Sequence, residues 1–197
     1  MGATTALTQV NNPPFPSGQH MTAAEFELLP QGPPYPELIN NLLTMPPSPG
    51  FSHQEVSMEL SSEMYGYTKI NHLGIVVVVP MDVHFDDGNV FQPDIIFISK
   101  DWLPTLLADG KKIKGAPDLV VEILSFNKKS DLEEKMYIYQ RYDVREYWVV
   151  NPKKKFVEIF ENVEKEFVSI QKCKGASTAH SKIIAGFSID LKTLFRD

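Results

Sequence analysis

Two acidic segments carry the residues best suited to chemistry: Gln92-Pro93-Asp94-Ile95-Ile96-Phe97 and Pro117-Asp118-Leu119-Val120-Val121-Glu122-Ile123-Leu124-Ser125. In each, a carboxylate stands within a run of β-branched and aromatic residues, the pattern of a buried strand. An ionised carboxylate withdrawn from water is costly unless it is paired, hydrogen-bonded or bound to a metal. Two of them on neighbouring strands would suit a hard divalent cation, which takes oxygen ligands. Without a cation, their mutual repulsion would raise one of the two pKa values strongly.

Alternation along a strand puts Asp118, Val120, Glu122 and Leu124 on one face, and Gln92, Asp94 and Ile96 on one face of the other. Pairing of the two strands in register would bring Asp94 and Glu122 together. Asp118 follows a proline at a strand start, where it can equally cap the local backbone. Glu122 sits deepest in an apolar run, so a metal or an Arg or Lys from elsewhere must balance it.

The elements that must position these groups are legible in outline. Residues 1–20 are polar and rich in Asn, Pro and Gly, a loose arm ahead of a single domain over 21–197. Thr22-Ala23-Ala24-Glu25 is a capping box that opens a short helix, stopped by Pro30 and Gly32. Tyr35 to Met45 reads as a strand pair around Asn40-Asn41, broken by Pro46-Pro47-Ser48-Pro49-Gly50. Ser52 can cap a helix from His53 to about Lys69, with Val56, Leu60, Met64 and Tyr67 at helical spacing. A single histidine there is more often structural or exposed than a ligand, so His53 stays outside the expected site.

Gly74 to Val79 is a strand, continued through Val83 and Phe85 to a hairpin turn at Asp86-Asp87-Gly88-Asn89. Val90 to Ile98 is its partner, with Asp94 mid-strand. Residues 100–115 form a short helix or excursion ending in Lys111-Lys112-Ile113-Lys114-Gly115, ahead of the strand at 118–125. A helix from Ser130 or Asp131 to Tyr142 turns Leu132, Met136 and Tyr139 inward. Lys135 borders that stripe, placed either to send its stem into the cleft or to pair with Asp131 one turn away. Strands follow at 146–150, 156–160 and 166–171, and a tail over Phe187 to Phe195 is strand-like, then helical. This order predicts an α/β fold with a mixed central β-sheet flanked by helices.

The bulk numbers exclude several classes. A chain of 197 residues with 43% apolar and 22% charged residues builds one substantial core. A net charge of −6 argues against a surface that grips nucleic acid all over, while leaving room for a local basic groove. Cys173 is alone, so no intrachain disulfide forms. No stretch approaches the ~20 apolar residues of a membrane span, and Met1 to Pro16 lacks the basic and apolar regions of a secretory signal. The expected address is cytoplasmic.

The ordered segments "FQPDIIFIS", "GAPDLVVEILS" and "DLEEKMYIYQRYDVREYWVVNP", with "ELINNLLTMPPSPGFSHQ" before them, resemble a bacterial restriction-endonuclease family once classed as a domain of unknown function. That family belongs to the PD-(D/E)XK nuclease superfamily, and the resemblance runs from about Thr22 to Phe195. It implies a restriction-endonuclease-like core with an extra N-terminal strand pair and C-terminal strands. Asp94 matches the superfamily's Asp and Glu122 the Glu of its Glu-x-Lys. The chain departs from the pattern at Leu124, where the lysine would stand, so the basic group is expected from the following helix as Lys135. A second departure is Asn40-Asn41, where relatives more often carry Asp-Gly.

The resemblance implies a Mg²⁺-dependent endonuclease hydrolysing DNA phosphodiester bonds, with Mn²⁺ as a substitute metal. Asp94, Glu122 and the backbone carbonyl of Ile123 would hold the ion, with Glu37 and Asp118 as accessory carboxylates. DNA would be the partner, through lysines 111, 112, 114, 128 and 129, with 153–155 a further cluster that reads first as solvated loop lysines. A homodimer would suit cutting both strands. The missing lysine and the acidic balance support a rival: a catalytically silent nuclease fold acting as a DNA- or protein-binding module.

Overall fold

The computed structural model describes residues 17–30, 32–107, 112–125 and 129–196, without the side chains of 129–131. In chain order the elements are α1 (Ala23–Phe26), β1 (Glu37–Ile39), β2 (Leu42–Thr44), α2 (Phe51–Ile70), β3 (Gly74–Val78), β4 (Val83–Asp86), β5 (Asn89–Phe91) and β6 (Ile95–Ser99). They continue as α3 (Leu103–Leu106), β7 (Ile113–Lys114), β8 (Leu119–Ile123), α4 (Lys129–Arg141), β9 (Glu146–Asn151), β10 (Phe156–Val163), β11 (Glu166–Lys174), β12 (Thr178–His180), β13 (Ser188–Asp190) and α5 (Leu191–Leu194).

Pro93 decides the layout. The expected single strand over Val90 to Ile98 is divided there: β5 and β6 belong to different sheets. A proline has no N–H for a ladder, so the chain steps from one sheet to the other at Gln92-Pro93-Asp94. Asp94 therefore sits just ahead of β6 rather than in mid-strand.

The central sheet has six strands in the order β11-β10-β9-β8-β6-β3. It is mixed, because β8 and β9 run parallel while β6 is antiparallel to both its neighbours. One face packs on α2, where Val56, Leu60 and Met64 meet Ile95, Phe97, Val121 and Trp148. The other packs on α4, where Ile138 and Tyr139 meet Ile96, Val120 and Tyr147. Residues of β6 and β8 thus alternate between two cores, and both strands are apolar throughout except for Glu122 and the terminal Ser99.

The expected N-terminal strand pair is present, and it joins a second sheet, β2-β1-β5-β4-β7. Asn40 (φ 49°) and Asn41 (φ 63°) make its turn in the left-handed region, which asparagine tolerates better than most residues. The Asp-Gly of relatives is therefore not required for this hairpin. The capping box forms as expected, Glu25 N–H donating to Thr22 Oγ1 at 3.2 Å and Thr22 N–H to Glu25 Oε2 at 2.7 Å. The long helix starts two residues earlier than expected, with Gly50 at its N-cap in place of Ser52.

Of the expected arm, residues 1–16 lie outside the described residues. Residues 17–20 run beside β2, with Gly18 N–H donating to the Leu43 carbonyl at 2.7 Å and a bridge from His20 to Leu42. The buried line of α4 is Lys135, Ile138 and Tyr139, with Leu132 and Met136 half-buried beside it. The helix is thus rotated relative to the expected stripe, and Lys135 lies inside it. Among the described residues, no helix is long and apolar enough to cross a membrane.

Candidate active site

The register of β6 on β8 pairs Ile95 with Val121 and Ile96 with Val120. One step beyond the last paired residues, continuation of that register would set Asp94 opposite Glu122. Residues directly opposite in an antiparallel pair are nearest side-chain neighbours. Asp94 is anchored on both oxygens: Oδ2 accepts the Ile123 N–H at 2.7 Å, and Oδ1 lies 3.2 Å from Nε2 of His53 in the first turn of α2.

Glu122 shares its face with Val120 and so projects toward α4. There its Oε1 accepts the Tyr139 hydroxyl at 2.6 Å and stands 3.4 Å from the Lys135 ammonium. Lys135 lies closer to Glu37 of β1, donating to Oε1 at 2.6 Å. The same Glu37 oxygen accepts the Gln92 N–H at 2.9 Å, which ties the second sheet to the step before Asp94. Glu37, His53, Asp94, Glu122, Ile123 and Lys135 all line one cleft of about 160 Å³.

Burial sets the electrostatics. It pushes the Glu122 carboxyl up to about 7; the Lys135 charge opposes this, while the charges of Asp94 and Glu37 add to it. Burial pulls the Lys135 ammonium down, but Glu122 and Glu37 outweigh it and hold the lysine above its ordinary value. His53 is also raised: burial acts against its charge and is overcome by the hydrogen bond to Asp94 and the nearby carboxylates. The cleft therefore collects three acids around one lysine and one histidine, short of positive charge.

Two polar atoms in this cluster are buried with no hydrogen-bond partner, Glu37 Oε2 and His53 Nδ1. Native interiors rarely leave such atoms unmatched, and functional sites are where they collect. Among the described residues, no three His, Cys, Asp or Glu side chains converge as a ready-made ligand cluster. The donors near the floor are two carboxylates and the backbone around Ile123. That set fits Mg²⁺, which is commonly bound by one or two carboxylates and keeps several waters.

Asp94, Glu122, Ile123, Lys135 and the accessory Glu37 are thus brought together, and Asp118 is not. It lies at the opposite end of β8, where its oxygens accept the Ser99 N–H at 2.8 Å and Arg145 Nη1 at 2.9 Å. As an accessory residue of this site Asp118 is corrected to a backbone clamp: Leu119, Val120 and Val121 stand between it and Glu122, the first cleft residue of β8. The alternative pairing of Lys135 with Asp131 involves a side chain outside the described residues. Sequence reasoning passed over His53 and assigned Tyr139 to packing alone. A signal existed for both, since His53 leads the buried line of Val56, Leu60 and Met64, and Tyr139 lies one turn beyond Lys135.

The profile of the Uma2 family, described as "Putative restriction endonuclease", matches residues 23–192. Among solved structures, the chain is similar to one described as "a putative nuclease belonging to DUF820 from Anabaena variabilis". The two are 19% identical with a TM-score of 0.75, over 89% of this chain and 97% of that one, a likeness of fold. No curated protein matches the sequence. Since the family profile spans β1, the start of α2, both carboxylate segments and α4, this chain belongs to the Uma2 family of restriction-endonuclease-like proteins.

Proposed function

We propose that the chain is a Mg²⁺-dependent endonuclease that hydrolyses DNA phosphodiester bonds, with Asp94, Glu122 and Lys135 as catalytic residues. The observation that supports this most is the Asp94 carboxylate held by the Ile123 N–H next to Glu122, with the Lys135 ammonium 3.4 Å from Glu122 in the same cleft. The lysine missing at position 124 is thereby replaced in chemistry by one from α4.

Asp94, Glu122 and the Ile123 carbonyl would hold Mg²⁺, or Mn²⁺ in its place; when bound, the ion neutralises charge on the scissile phosphate and lowers the pKa of a coordinated water. The chain's own residues do the positioning. The Ile123 amide and His53 fix both oxygens of Asp94, and Tyr139 fixes one oxygen of Glu122. Lys135 offers a cation, poised in a low-dielectric pocket, to the extra negative charge that builds on phosphate during attack. Hydrolysis forms a bond from water oxygen to phosphorus, breaks one phosphorus–oxygen ester bond and returns a proton to the leaving alcohol.

Contact with the DNA backbone falls to the turn after β9. Because β8 and β9 run parallel, Lys153, Lys154 and Lys155 leave the sheet at the end where Glu122 and Ile123 lie, and all three are exposed. Lys112 ion-pairs with Glu27; Lys111 and Lys128 lie outside the described residues, as does the Lys129 side chain. A two-fold dimer would bring two such clefts to the two strands of a duplex.

The test is a plasmid-nicking assay in Mg²⁺ and in Mn²⁺ with the wild type, Glu122→Gln and Lys135→Met. Nicking by the wild type alone supports the assignment. Metal-independent nicking, or equal nicking by all three, refutes it. DNA binding without cleavage by the wild type would move the chain to the catalytically silent reading.

A further inference from the structure

The floor of the cleft is deeply set: Glu37 is 2%, Lys135 6% and Glu122 9% exposed. Among the described residues, its walls are mainly apolar, with Gln54, Gln92 and Ser125 as polar exceptions. Pro46, Pro47 and Pro49, between β2 and α2, line it together with Tyr35, and Leu124 and Leu132 line it from β8 and α4. Among the described residues, the cationic side chains lining it are Lys135 and His53, and both are already engaged by carboxylates at the floor. The rim therefore offers ring and proline faces to a ligand, and its charge is concentrated at the bottom.

We propose that this cleft takes single-stranded DNA, with an unpaired base stacked on Tyr35 while the adjoining phosphodiester reaches Asp94, Glu122 and Lys135. The inference rests on the nuclease reading and names its substrate class. Two physical arguments carry it. In a duplex every base is already paired and stacked, and laying one on Tyr35 would require unpairing and flipping it. An unpaired base carries no such cost. Stacking, in addition, needs no basic groove: every base has a π-face, and an aromatic platform with one exposed side is enough. Tyr35 is 42% exposed, so its ring has a face to offer beside a recess lined by prolines. A net charge of −6 is tolerable for a ligand gripped by its bases, and is a handicap for one gripped by its phosphates.

The experiment compares one labelled sequence as a single strand, as a blunt duplex and as a duplex with a central unpaired loop. Cleavage is followed in Mn²⁺ with the wild type, Tyr35→Ala and Tyr35→Phe. Binding is followed separately by fluorescence anisotropy with Glu122→Gln. The single strand and the loop are expected to be cut at least about tenfold faster than the blunt duplex. Tyr35→Ala is expected to raise KM for the single strand about tenfold with kcat little changed, and Tyr35→Phe to restore it. Equal or faster cutting of the blunt duplex overturns the proposal, as does an unchanged KM in Tyr35→Ala. Anisotropy keeps the two readings apart. If nothing is cut yet the single strand binds preferentially, the nuclease reading fails while this ligand stands; if binding shows no preference, this inference fails whatever is cut.

Discussion

The Lys135 ammonium stands nearer to Glu37, at 2.6 Å, than to Glu122, at 3.4 Å. The strand pair that carries Glu37 is therefore part of the site's charge balance. Lys135→Met would leave two buried carboxylates without their counter-charge, and breaking a buried pair from one side costs about 3–5 kcal/mol. Urea denaturation at neutral pH should show a loss of that order, together with loss of cleavage. A variant as stable as the wild type would mean that this lysine does not balance the acids.

Glu122→Gln keeps the shape of the side chain and can still accept the Tyr139 hydroxyl. We expect no detectable cleavage and no calorimetric signal for Mn²⁺, with the circular dichroism spectrum unchanged. Retained metal binding would remove Glu122 from the ligand set.

The same variant carries a pH signature. The folded Glu122 carboxyl is pushed up to about 7 from an ordinary 4.5. Between those values the unfolded chain releases a proton that the folded chain keeps, so the buried acid lowers stability progressively as pH rises from about 4.5 to 7. In metal-free buffer, Glu122→Gln should therefore gain melting temperature relative to wild type as pH rises through this window and level off above it. A difference independent of pH would contradict the burial argument.

His53 holds one oxygen of Asp94 from α2. His53→Ala frees that carboxylate to swing, and a misplacement of about 1 Å in such a group can cost about 100-fold in rate. Single-turnover cleavage should fall by that order in a variant that still folds, and His53→Gln, which can donate to the same oxygen, should recover part of it. Full activity in His53→Ala would make the contact incidental.

Asp118 separates structure from chemistry at the far end of β8. Asp118→Ala strands the Ser99 N–H and releases Arg145, a loss of about 1–3 kcal/mol for a buried donor left unpaired. Cleavage per folded molecule should be unchanged, and a selective loss of activity at full stability would return Asp118 to the site.

Some of this was legible in the residues alone. Carboxylates placed in apolar runs had to be compensated, and that marked Asp94 and Glu122. Thr22 and Glu25 specified their capping box, and Asn40-Asn41 their turn, because both depend on contacts a few residues apart. Lys135 was marked as a neighbour of a helical stripe, but whether it faced the acids depended on how α4 is rotated against the sheet. His53 and Glu37 lie 41 and 57 positions before Asp94, and only the docking of α2 and β1 brings them to the cleft. Asp118 and Glu122 looked alike as acids in one strand. The direction of β8 beside β6 and β9 sent them to opposite ends. Local patterns determined which groups were costly to bury; long-range packing decided which of them share one cleft, because strand register and helix rotation are set by the whole core.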